Sequence, residues 1–398
     1  MDLSAEFCGL ALENPFVLAS APPTADIAMI ERAFSMGWAG AVTKTIKPDS
    51  MVVEDASPRF AAVKRDGRIV GFENFELLSK NNLDYWSDGI AHVRTEYPDK
   101  LLVVSITGDD RRETWADLAR WAQDAGAQAL ELNFSCPHGM PERGVGAAIG
   151  QNPDITEMIA RWVCDEVTIP VIVKLSPNVT SVIPIAEAAI RGGADALAAI
   201  NTVQSIAGVD LDRLTPYPAV QGHSSYGGYS GAAVKPIGLR ITAQLAQAFD
   251  LPLSALGGVS EWRDAAEYIS LGANHVQVCT AVMTSGFRIV RTMISGLKRY
   301  MSGMGFARLE DFRGAALPKL SAHGDLDKKS RAVPRIDHEA CTRCGKCVTA
   351  CRDGAYQALD IHSGNVEVDQ VRCDGCGLCH LVCPEGAIAL EPRVLVEA

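Results

Sequence analysis

Short runs of apolar and β-branched residues alternate along most of the chain with longer amphipathic stretches. This alternation is typical of repeated βα units that build a parallel sheet. The apolar runs predict strands over 16–20, 39–44, 101–106, 128–133, 170–175, 195–200, 252–256 and 274–279. Amphipathic stretches predict intervening helices, among them 113–125, 181–191 and 261–271. Strands that are each followed by a helix, eight times over, predict a TIM (β/α)8 barrel, whose chemistry lies where strands run into the loops after them.

Two segments interrupt this alternation. Residues 57–75 show a hairpin-like pattern around Asp66-Gly67, which we expect to form a rim of the barrel. Residues 202–232 are rich in Gly and Ser and are predicted to form a long functional loop. The sequence becomes polar and loop-like from about 303 to 334. We therefore predict a barrel domain over 1–302, a linker over 303–334 and a small α+β domain over 335–398.

Composition narrows the class of protein. A chain of 398 residues with 47% hydrophobic and 21% charged residues is an ordinary globular protein with a large core. Its net charge of -11, without a stripe of Lys and Arg, argues against nucleic acid or anionic lipid as the main partner. No apolar stretch approaches a membrane span, and the acidic N-terminus does not resemble a signal peptide. We therefore expect a cytoplasmic protein.

The cysteines are distributed unevenly. Eight of the twelve lie in two runs with the spacing Cys-x2-Cys-x2-Cys-x3-Cys. The runs consist of Cys341, Cys344, Cys347 and Cys351, and of Cys373, Cys376, Cys379 and Cys383. Disulfides are disfavoured in a chain without a secretion signal, whereas this paired spacing is typical of two 4Fe-4S clusters. Zinc sites, which also take four thiolates, are the alternative.

In two-cluster domains of this kind the fourth ligand of each run belongs to the other cluster. Cys383 is therefore predicted to complete the first site and Cys351 the second. Arg352 stands after Cys351, where the first run usually has Pro. We expect this substitution to affect the cluster potential more than cluster binding. The predicted tail resembles a bacterial-type ferredoxin domain, which moves one electron at a time.

Glycines and lysines follow several predicted barrel strands. Gly257 and Gly258 follow the seventh strand, and a helix is predicted to start after Thr280. Backbone amides at such positions form phosphate sites in barrels. Lys44 and Lys174 end the second and fifth strands, where a cation could stabilise negative charge on a reduced flavin. The alternative is that each lysine only extends to solvent.

Amide side chains make up a second group of candidates. Asn133 ends the fourth strand, Asn201 and Thr202 end the sixth, and Asn74 lies on the predicted rim with Glu76 two residues later. Amides offer both donors and acceptors, so together they could pair with the imide edge of a uracil-like ring. Individually, such residues more often cap turns.

Several stretches carry a resemblance to a known family. They are NPFVLASAPP, TKT, NFE, NFSCPHGMPERGVGAAIGQ, KLSPN, AAINTV, GGYSGAAVKPI, LGGV, QVCTAV and both cysteine runs. In these stretches the chain resembles bacterial NAD-dependent dihydropyrimidine dehydrogenases, in the subunit that carries FMN and two 4Fe-4S clusters. The GGV and KLSP stretches also suit dihydroorotate dehydrogenases of the same fold. Leu256 departs from the pattern, because relatives usually place Thr before the glycines.

The resemblance implies roles for individual residues. FMN contacts are implied for Ser20, Lys44, Thr45, Lys174, Gly231, Gly257, Gly258, Cys279 and Thr280. Substrate contacts are implied for Asn74, Asn133, Ser135, Asn201 and Thr202. Cys8 and Cys164 have no neighbouring signal and are interpreted as packing residues.

Cys136 is the predicted general acid. The 5,6 double bond of uracil is conjugated to the C4 carbonyl, so a hydride added at C6 leaves an enolate that must be protonated at C5. A thiol with an ordinary pKa near 8.5 is mostly protonated at cellular pH yet can release its proton. Glycines around Cys136 would let its loop move over the substrate as a lid. From spacing alone, an inert buried cysteine is the alternative.

The chain lacks the G-x-G-x-x-G pattern of a dinucleotide site. The resemblance therefore implies a separate partner subunit that binds FAD and NAD(H), with electrons passing through the clusters to FMN and the pyrimidine base. It also implies a homodimeric core within a heterotetramer. A dihydroorotate-type oxidoreductase and an electron-transfer subunit without a substrate are the alternatives. Orotate needs a cationic clamp, and the amide-rich set offers no obvious Arg.

Overall fold

The computed structural model describes residues 1–134 and 146–394. Contacts divide the chain into two compact units, Met1–Lys319 and Leu320–Ala398.

The first unit is built on a barrel. Its strands are β1 (Ala5–Phe7), β2 (Leu10–Leu12), β3 (Phe16–Leu18), β4 (Gly40–Val42), β5 (Phe60–Arg65), β6 (Arg68–Asn74), β7 (Leu101–Ile106), β8 (Ala129–Asn133), β9 (Val171–Leu175), β10 (Ala196–Ala199), β11 (Val203–Ser205), β12 (Val209–Asp210), β13 (Thr215–Pro216), β14 (Gly227–Ser230), β15 (Leu253–Leu256) and β16 (His275–Val278). Its helices are α1 (Ile27–Phe34), α2 (Leu83–Glu96), α3 (Arg112–Asp124), α4 (Pro153–Cys164), α5 (Ile183–Arg191), α6 (Lys235–Ala248), α7 (Trp262–Ser270), α8 (Thr280–Ser285) and α9 (Ile289–Met304).

Within the described residues, eight parallel strands close the barrel in the order β10-β15-β16-β3-β4-β7-β8-β9. Each falls inside one of the eight predicted runs, so the (β/α)8 prediction is confirmed. The strands are short and their residues are almost all buried, as expected when helices cover the outside of a parallel sheet. The register places Asn133 on β8 opposite Lys174 on β9, which brings two predicted site residues side by side.

The predicted rim is larger than the sequence indicated. The hairpin β5–β6 forms as predicted, but β11 and β14 add to it in the order β11-β14-β6-β5. The prediction of a loop over 202–232 is therefore wrong in part. Strand β14 pairs with the edge of β6, with Gly228 opposite Asn74, and so satisfies backbone groups that a lone hairpin would leave open. The strands β12 and β13 form a separate small hairpin.

The beginning of the predicted linker packs with the barrel. Leu309 and Phe312 are almost fully buried in the same core cluster as the barrel strands. The sequence analysis did not identify Leu309 and Phe312 as core residues, because the residues around them are polar. The boundaries predicted at 302 and 335 remain predictions, and the contacts divide the chain after Lys319.

The second unit is small and mixes helices with strands. It contains β17 (Ser330–Ile336), α10 (Lys346–Gly354), β18 (Leu359–His362), β19 (Asn365–Val368), α11 (Leu378–Leu381) and β20 (Ile388–Val394). Antiparallel pairs join β17 to β20 and β18 to β19. Cys347, Cys351 and Cys379 lie in its small core together with Val366 and Ile388.

His275 lies inside the barrel in an unusual environment for a titratable group. Its ring contacts Phe7 edge to face with centroids 4.5 Å apart, and its Nε2 lies 2.8 Å from Ser254 Oγ. Burial lowers the pKa of His275 from 6.5 to about 3. The folded barrel therefore keeps this imidazole neutral under conditions in which the unfolded chain protonates it.

We predict that the free energy of unfolding falls less steeply with decreasing pH in a His275→Gln variant than in the wild type. The contribution of neutral His275 to the free energy of unfolding is fully present above pH 6.5 and is lost as the pH falls towards 3. The reason is that between these pH values only the unfolded chain binds a proton at His275. Between pH 7 and 5 the wild type should lose about 2 kcal/mol more than the variant. Urea unfolding followed by tryptophan fluorescence measures it, since all six tryptophans lie in the first unit. The exposed His92→Gln serves as control, and equal pH dependence in His275→Gln and wild type would contradict the prediction.

Candidate active site

One cleft at the carboxyl ends of the barrel strands gathers the predicted site residues. It contains about 1100 Å³ of empty space, part of which opens to solvent. The predicted residues that line it are Ser20, Lys44, Thr45, Asn74, Asn133, Lys174, Asn201, Thr202, Gly231, Gly257, Gly258, Cys279 and Thr280. Ser135 and Cys136 lie outside the described residues. The remaining predicted positions of the barrel site, drawn from seven strand ends and the rim, therefore converge.

A connected series of hydrogen bonds orders the polar side chains of the cleft. Thr45 Oγ1 lies 3.1 Å from Ser20 Oγ and accepts from Asn133 Nδ2 at 3.0 Å. Asn133 Oδ1 in turn accepts from Asn201 Nδ2 at 3.2 Å, and Asn201 Oδ1 accepts from the backbone N–H of Thr202 at 2.8 Å. Such a network fixes the rotamers of the amides before any ligand arrives.

Asn74 reaches the same cleft from the rim sheet. Its Nδ2 donates to the carbonyl of Gly228 at 2.9 Å, and its Oδ1 accepts from the N–H of Glu76 at 3.0 Å. The added strand β14 therefore positions this amide. The sequence identified Asn74 as a candidate but gave no sign of the strand that holds it.

A glycine-lined end of the cleft is suited to a phosphate. Gly258 has φ +76°, and a Cβ there would lie 2.8 Å from the backbone N of Lys235 and 3.0 Å from the carbonyl O of Gly231. Only a residue without a side chain therefore fits between these segments. Across this end, Ser230 Oγ lies 2.8 Å from Thr280 Oγ1, at the start of α8.

We predict that Gly258→Ala loses FMN while the barrel stays folded. The added Cβ displaces backbone on both sides and occupies a strained φ, so FMN affinity should fall about tenfold or more. Gly286→Ala is the matched control, because Gly286 has φ +78° and no atom within 4 Å of the added Cβ. Flavin content and FMN titration of the stripped proteins measure the effect. Equal affinity in the two variants would rule out the predicted cradle.

Both cleft lysines carry a carboxylate partner that the sequence did not reveal. Lys44 pairs with Glu76, and Lys174 Nζ lies 3.0 Å from Glu131 Oε1. Glu131 is two residues before Asn133 on β8, so the period of two along a strand could have indicated that both face the barrel interior. Glu76 follows the rim strand and gave no such signal.

Arg59 also approaches the cleft, where the sequence suggested no arginine. Its Nε pairs with Glu76 Oε1, while Lys44 holds the other carboxylate oxygen. The guanidinium is about one third exposed and lies 5.4 Å from the centroid of the Phe60 ring. Arg59 is thus held by Glu76, which it shares with Lys44, so the three side chains together keep one net positive charge.

Two further cleft residues bear on the flavin prediction. Burial raises the pKa of the Cys279 thiol to about 11, so this side chain stays protonated and acts in packing. Leu256, where relatives usually have Thr, is among the residues that line the cleft. Its carbonyl still accepts from the N–H of Ile200 at 2.9 Å, so the strand backbone is retained.

These features fit FMN. The glycine-lined end accommodates a phosphate, the lysines supply cations, and the apolar surface of Leu256 and Cys279 suits a ring system. A buried acceptor, Gln277 Oε1, also lacks a hydrogen-bond partner among the described residues.

In the second unit the cysteines surround two cavities, each with about 350 Å³ of empty space that partly opens to solvent. The first is lined by Cys341, Cys344, Cys347 and Cys383, and the second by Cys351, Cys373, Cys376 and Cys379. The structure thus brings together the two sets that the spacing predicted, including the exchanged fourth ligands. In the described part of the chain, no three His, Cys, Asp or Glu side chains converge closely enough for a single metal ion.

The structure accommodates Arg352 within a helix, at the position where the first cysteine run usually has Pro. Helix α10 continues through this residue to Gly354, with the guanidinium exposed and bonded to Asp353 at 2.8 Å. Cys351 Sγ accepts from the backbone N–H of Ala358 at 3.3 Å. Hydrogen bonds to sulfur tune the potential of clusters, and this one comes from Ala358 rather than from Arg352.

Comparison with known proteins defines the class first. The dihydroorotate dehydrogenase family model matches residues 2–301, and the 4Fe-4S dicluster domain model matches residues 334–390. The chain belongs to the dihydroorotate dehydrogenase family. This fold, with its cleft and its dicluster domain, defines a flavin and iron–sulfur oxidoreductase.

Individual relatives narrow the class. The chain is 41% identical over 90% of its length to the NAD-dependent dihydropyrimidine dehydrogenase subunit PreA of Escherichia coli (strain K12), 87% of which is covered. It is 38% identical over 83% of its length to the chloroplastic dihydropyrimidine dehydrogenase (NADP(+)) of Arabidopsis thaliana, 80% of which is covered. It is also 35% identical over 79% of its length to the catalytic subunit of dihydroorotate dehydrogenase B (NAD(+)) of Pyrococcus horikoshii, 98% of which is covered.

The predicted enzyme class is confirmed. The chain is an oxidoreductase of the dihydropyrimidine dehydrogenase type that acts on a CH–CH group. Throughout residues 1–134 and 146–394, every helix is too short or too polar to cross a membrane.

Proposed function

We propose that the chain interconverts uracil or thymine and their 5,6-dihydro forms, with FMN in the barrel cleft and Cys136 as general acid and base. The observation that carries this proposal is the convergence of a glycine-lined end, two lysines and a connected set of amides in one cleft. When bound, FMN supplies the hydride chemistry.

The chain's own residues divide the work of binding. Gly231, Gly257 and Gly258, with Thr280, hold the phosphate through backbone and hydroxyl groups. Lys44 and Lys174, with Ser20, Thr45 and Cys279, contact the rest of the cofactor. The two lysines place positive charge where the cofactor gains electrons.

The amides orient the substrate. Asn74, Asn133 and Asn201, with Thr202 and Ser135, present donors and acceptors to the alternating C=O and N–H edge of the pyrimidine ring. The hydrogen-bond series from Ser20 to Thr202 supports this role, because amides with fixed rotamers bind a planar edge without loss of side-chain freedom.

Cys136 supplies the proton at C5 in the reductive direction and removes it in the oxidative direction. This residue lies outside the described part of the chain, but Phe134, two positions earlier, is well anchored. Phe134 is buried against Trp115 with ring centroids 5.6 Å apart, and its carbonyl accepts from the N–H of Gly150 at 3.0 Å. The chain is thus held at the mouth of the cleft next to Asn133.

The two cysteine sets would hold 4Fe-4S clusters, which would let the chain exchange electrons with a partner subunit that binds FAD and NAD(H). The absence of a dinucleotide-binding pattern in the sequence and the word "subunit" in the name of the bacterial relative support this arrangement. We propose a homodimeric core within a heterotetramer that works in the cytoplasm.

An anaerobic experiment tests the proposal. The isolated chain, with flavin, iron and sulfide quantified, is reduced with dithionite, freed of reductant and mixed with uracil or orotate. Reoxidation with formation of dihydrouracil is expected. Reoxidation by orotate alone would make it a dihydroorotate-type enzyme, and no reaction with either would indicate an electron carrier. NADH added without a partner should leave the chain oxidised, and NADH-driven uracil reduction by the chain alone would refute the partner.

A further inference from the structure

A series of buried polar side chains runs through the barrel beneath the cleft. Lys174 Nζ lies 3.0 Å from Glu131 Oε1, and Glu131 Oε2 accepts from Gln277 Nε2 at 2.8 Å. The same Nε2 donates to Ser254 Oγ at 2.9 Å, and Ser254 Oγ lies 2.8 Å from His275 Nε2. These five residues come from four strands, and each is at most 4% exposed. The series is therefore a built feature of the barrel interior.

Glu131 occupies a special position in this series. It is fully buried and does not line the cleft, whereas its two partners Lys174 and Gln277 both do. One carboxylate oxygen serves the cation and the other serves the amide. Glu131 thus reaches the contents of the cleft only through these two side chains.

The partners also define the orientation of the Gln277 amide. Both of its hydrogens are donated, one to Glu131 and one to Ser254, so its oxygen has to be an acceptor. A flipped amide would place that oxygen against the Glu131 carboxylate. The carboxylate therefore orders an acceptor and a cation side by side at the wall of the cleft.

A carboxylate in so dry a place is expensive unless a cation and hydrogen bonds compensate it. Conversely, its full negative charge at 3.0 Å offsets much of the field that the Lys174 ammonium exerts on its surroundings. The positive potential that Lys174 produces in the cleft is thus reduced by Glu131, which lies outside the cleft lining.

We propose that Glu131 is a positioning residue that holds Lys174 and Gln277 in place and limits how strongly the Lys174 charge favours reduction of the flavin. This inference rests on the proposed function in one respect, namely that FMN occupies the cleft.

The test is the midpoint potential of the flavin in the intact, cluster-loaded chain. Glu131→Gln keeps an oxygen acceptor for Lys174 and nearly the same volume but removes the negative charge. With the carboxylate charge removed, the Lys174 ammonium should stabilise the electron-rich flavin more strongly. The equilibrium constant for reduction is expected to rise about tenfold or more, which is about 30 mV for a two-electron couple.

One further variant separates this role from a structural one. Ser254→Ala breaks the same buried series without changing its charge and should leave the flavin potential at the wild-type value. Equal flavin content in Glu131→Gln, Ser254→Ala and wild type shows that each cleft is intact.

The inference is overturned if Glu131→Gln leaves the potential unchanged, or if Ser254→Ala shifts it as much, since disruption of the buried series and not loss of the charge would then be the cause. A wild-type chain that binds no flavin would refute the proposed function itself. A chain that binds flavin and reduces uracil, but shows no effect of Glu131→Gln, would refute this inference alone.

Discussion

Replacement of Cys136 by alanine is expected to slow uracil reduction by the dithionite-reduced chain by about 10²- to 10⁴-fold, the usual contribution of a positioned general acid. The hydride acceptor carbon can still be reached, but the enolate at C5 lacks a proton donor. Flavin content, cluster content and uracil binding should stay at wild-type values, because the thiol contributes to the chemical step. Anaerobic stopped-flow spectroscopy of flavin reoxidation measures the rate.

Cys164→Ala is the matched control. Burial raises the pKa of the Cys164 thiol to about 12, so it neither donates nor accepts protons in the neutral range, and its removal tests only the loss of a sulfur atom. The control should react at the wild-type rate. If Cys136→Ala reacted as fast as Cys164→Ala, the proton donor would have to be another group.

Replacement of Cys383 by alanine is expected to damage the cluster held by Cys341, Cys344 and Cys347, although these residues lie about forty positions earlier in the chain. The reason is that Cys383 lines the first cavity and not the second. A cluster that loses one of its four thiolate ligands is either lost or converted to a form with less iron. The second cluster should be unaffected, so the variant should keep at least half of the wild-type iron content but less than all of it.

Paramagnetic resonance of the reduced chain identifies which cluster is affected. Cys383→Ala should alter the same signal as Cys341→Ala, and Cys351→Ala should alter the same signal as Cys373→Ala. The uracil reaction of a chain reduced at its flavin should persist in all four variants, since the clusters do no bond chemistry. If Cys383→Ala instead matched Cys373→Ala, each run would bind its own cluster and the assignment of ligands would be wrong.

The barrel could be predicted from sequence because its information is local. A buried parallel strand is a short apolar run wherever it stands, and a covering helix repeats its apolar residues every three to four positions. The cysteine runs are equally local, since three of the four ligands of each site lie on one tight loop. Gly258 and the strand-end residues Lys44, Asn133 and Lys174 were found for the same reason, because a barrel brings the ends of its strands together.

The parts that were missed depend on contacts between distant segments. Strand β14 joins the rim because the edge of β6 needs a partner, which the Gly- and Ser-rich composition of residues 202–232 does not reveal. Leu309 and Phe312 belong to the barrel core although their surroundings read as polar linker.

The sequence by itself therefore determined the class of fold, the two cysteine sets that line the cavities of the second unit, and the set of polar residues that could meet in a cleft. Only the tertiary structure decided how those residues are paired. In the structure Lys44 pairs with Glu76 and Lys174 pairs with Glu131. The Gln277 amide donates hydrogen bonds to both Glu131 and Ser254. The physical reason is that periodicity encodes which face of an element is buried, whereas ion pairs depend on strand register and on the directions of side chains from separate strands.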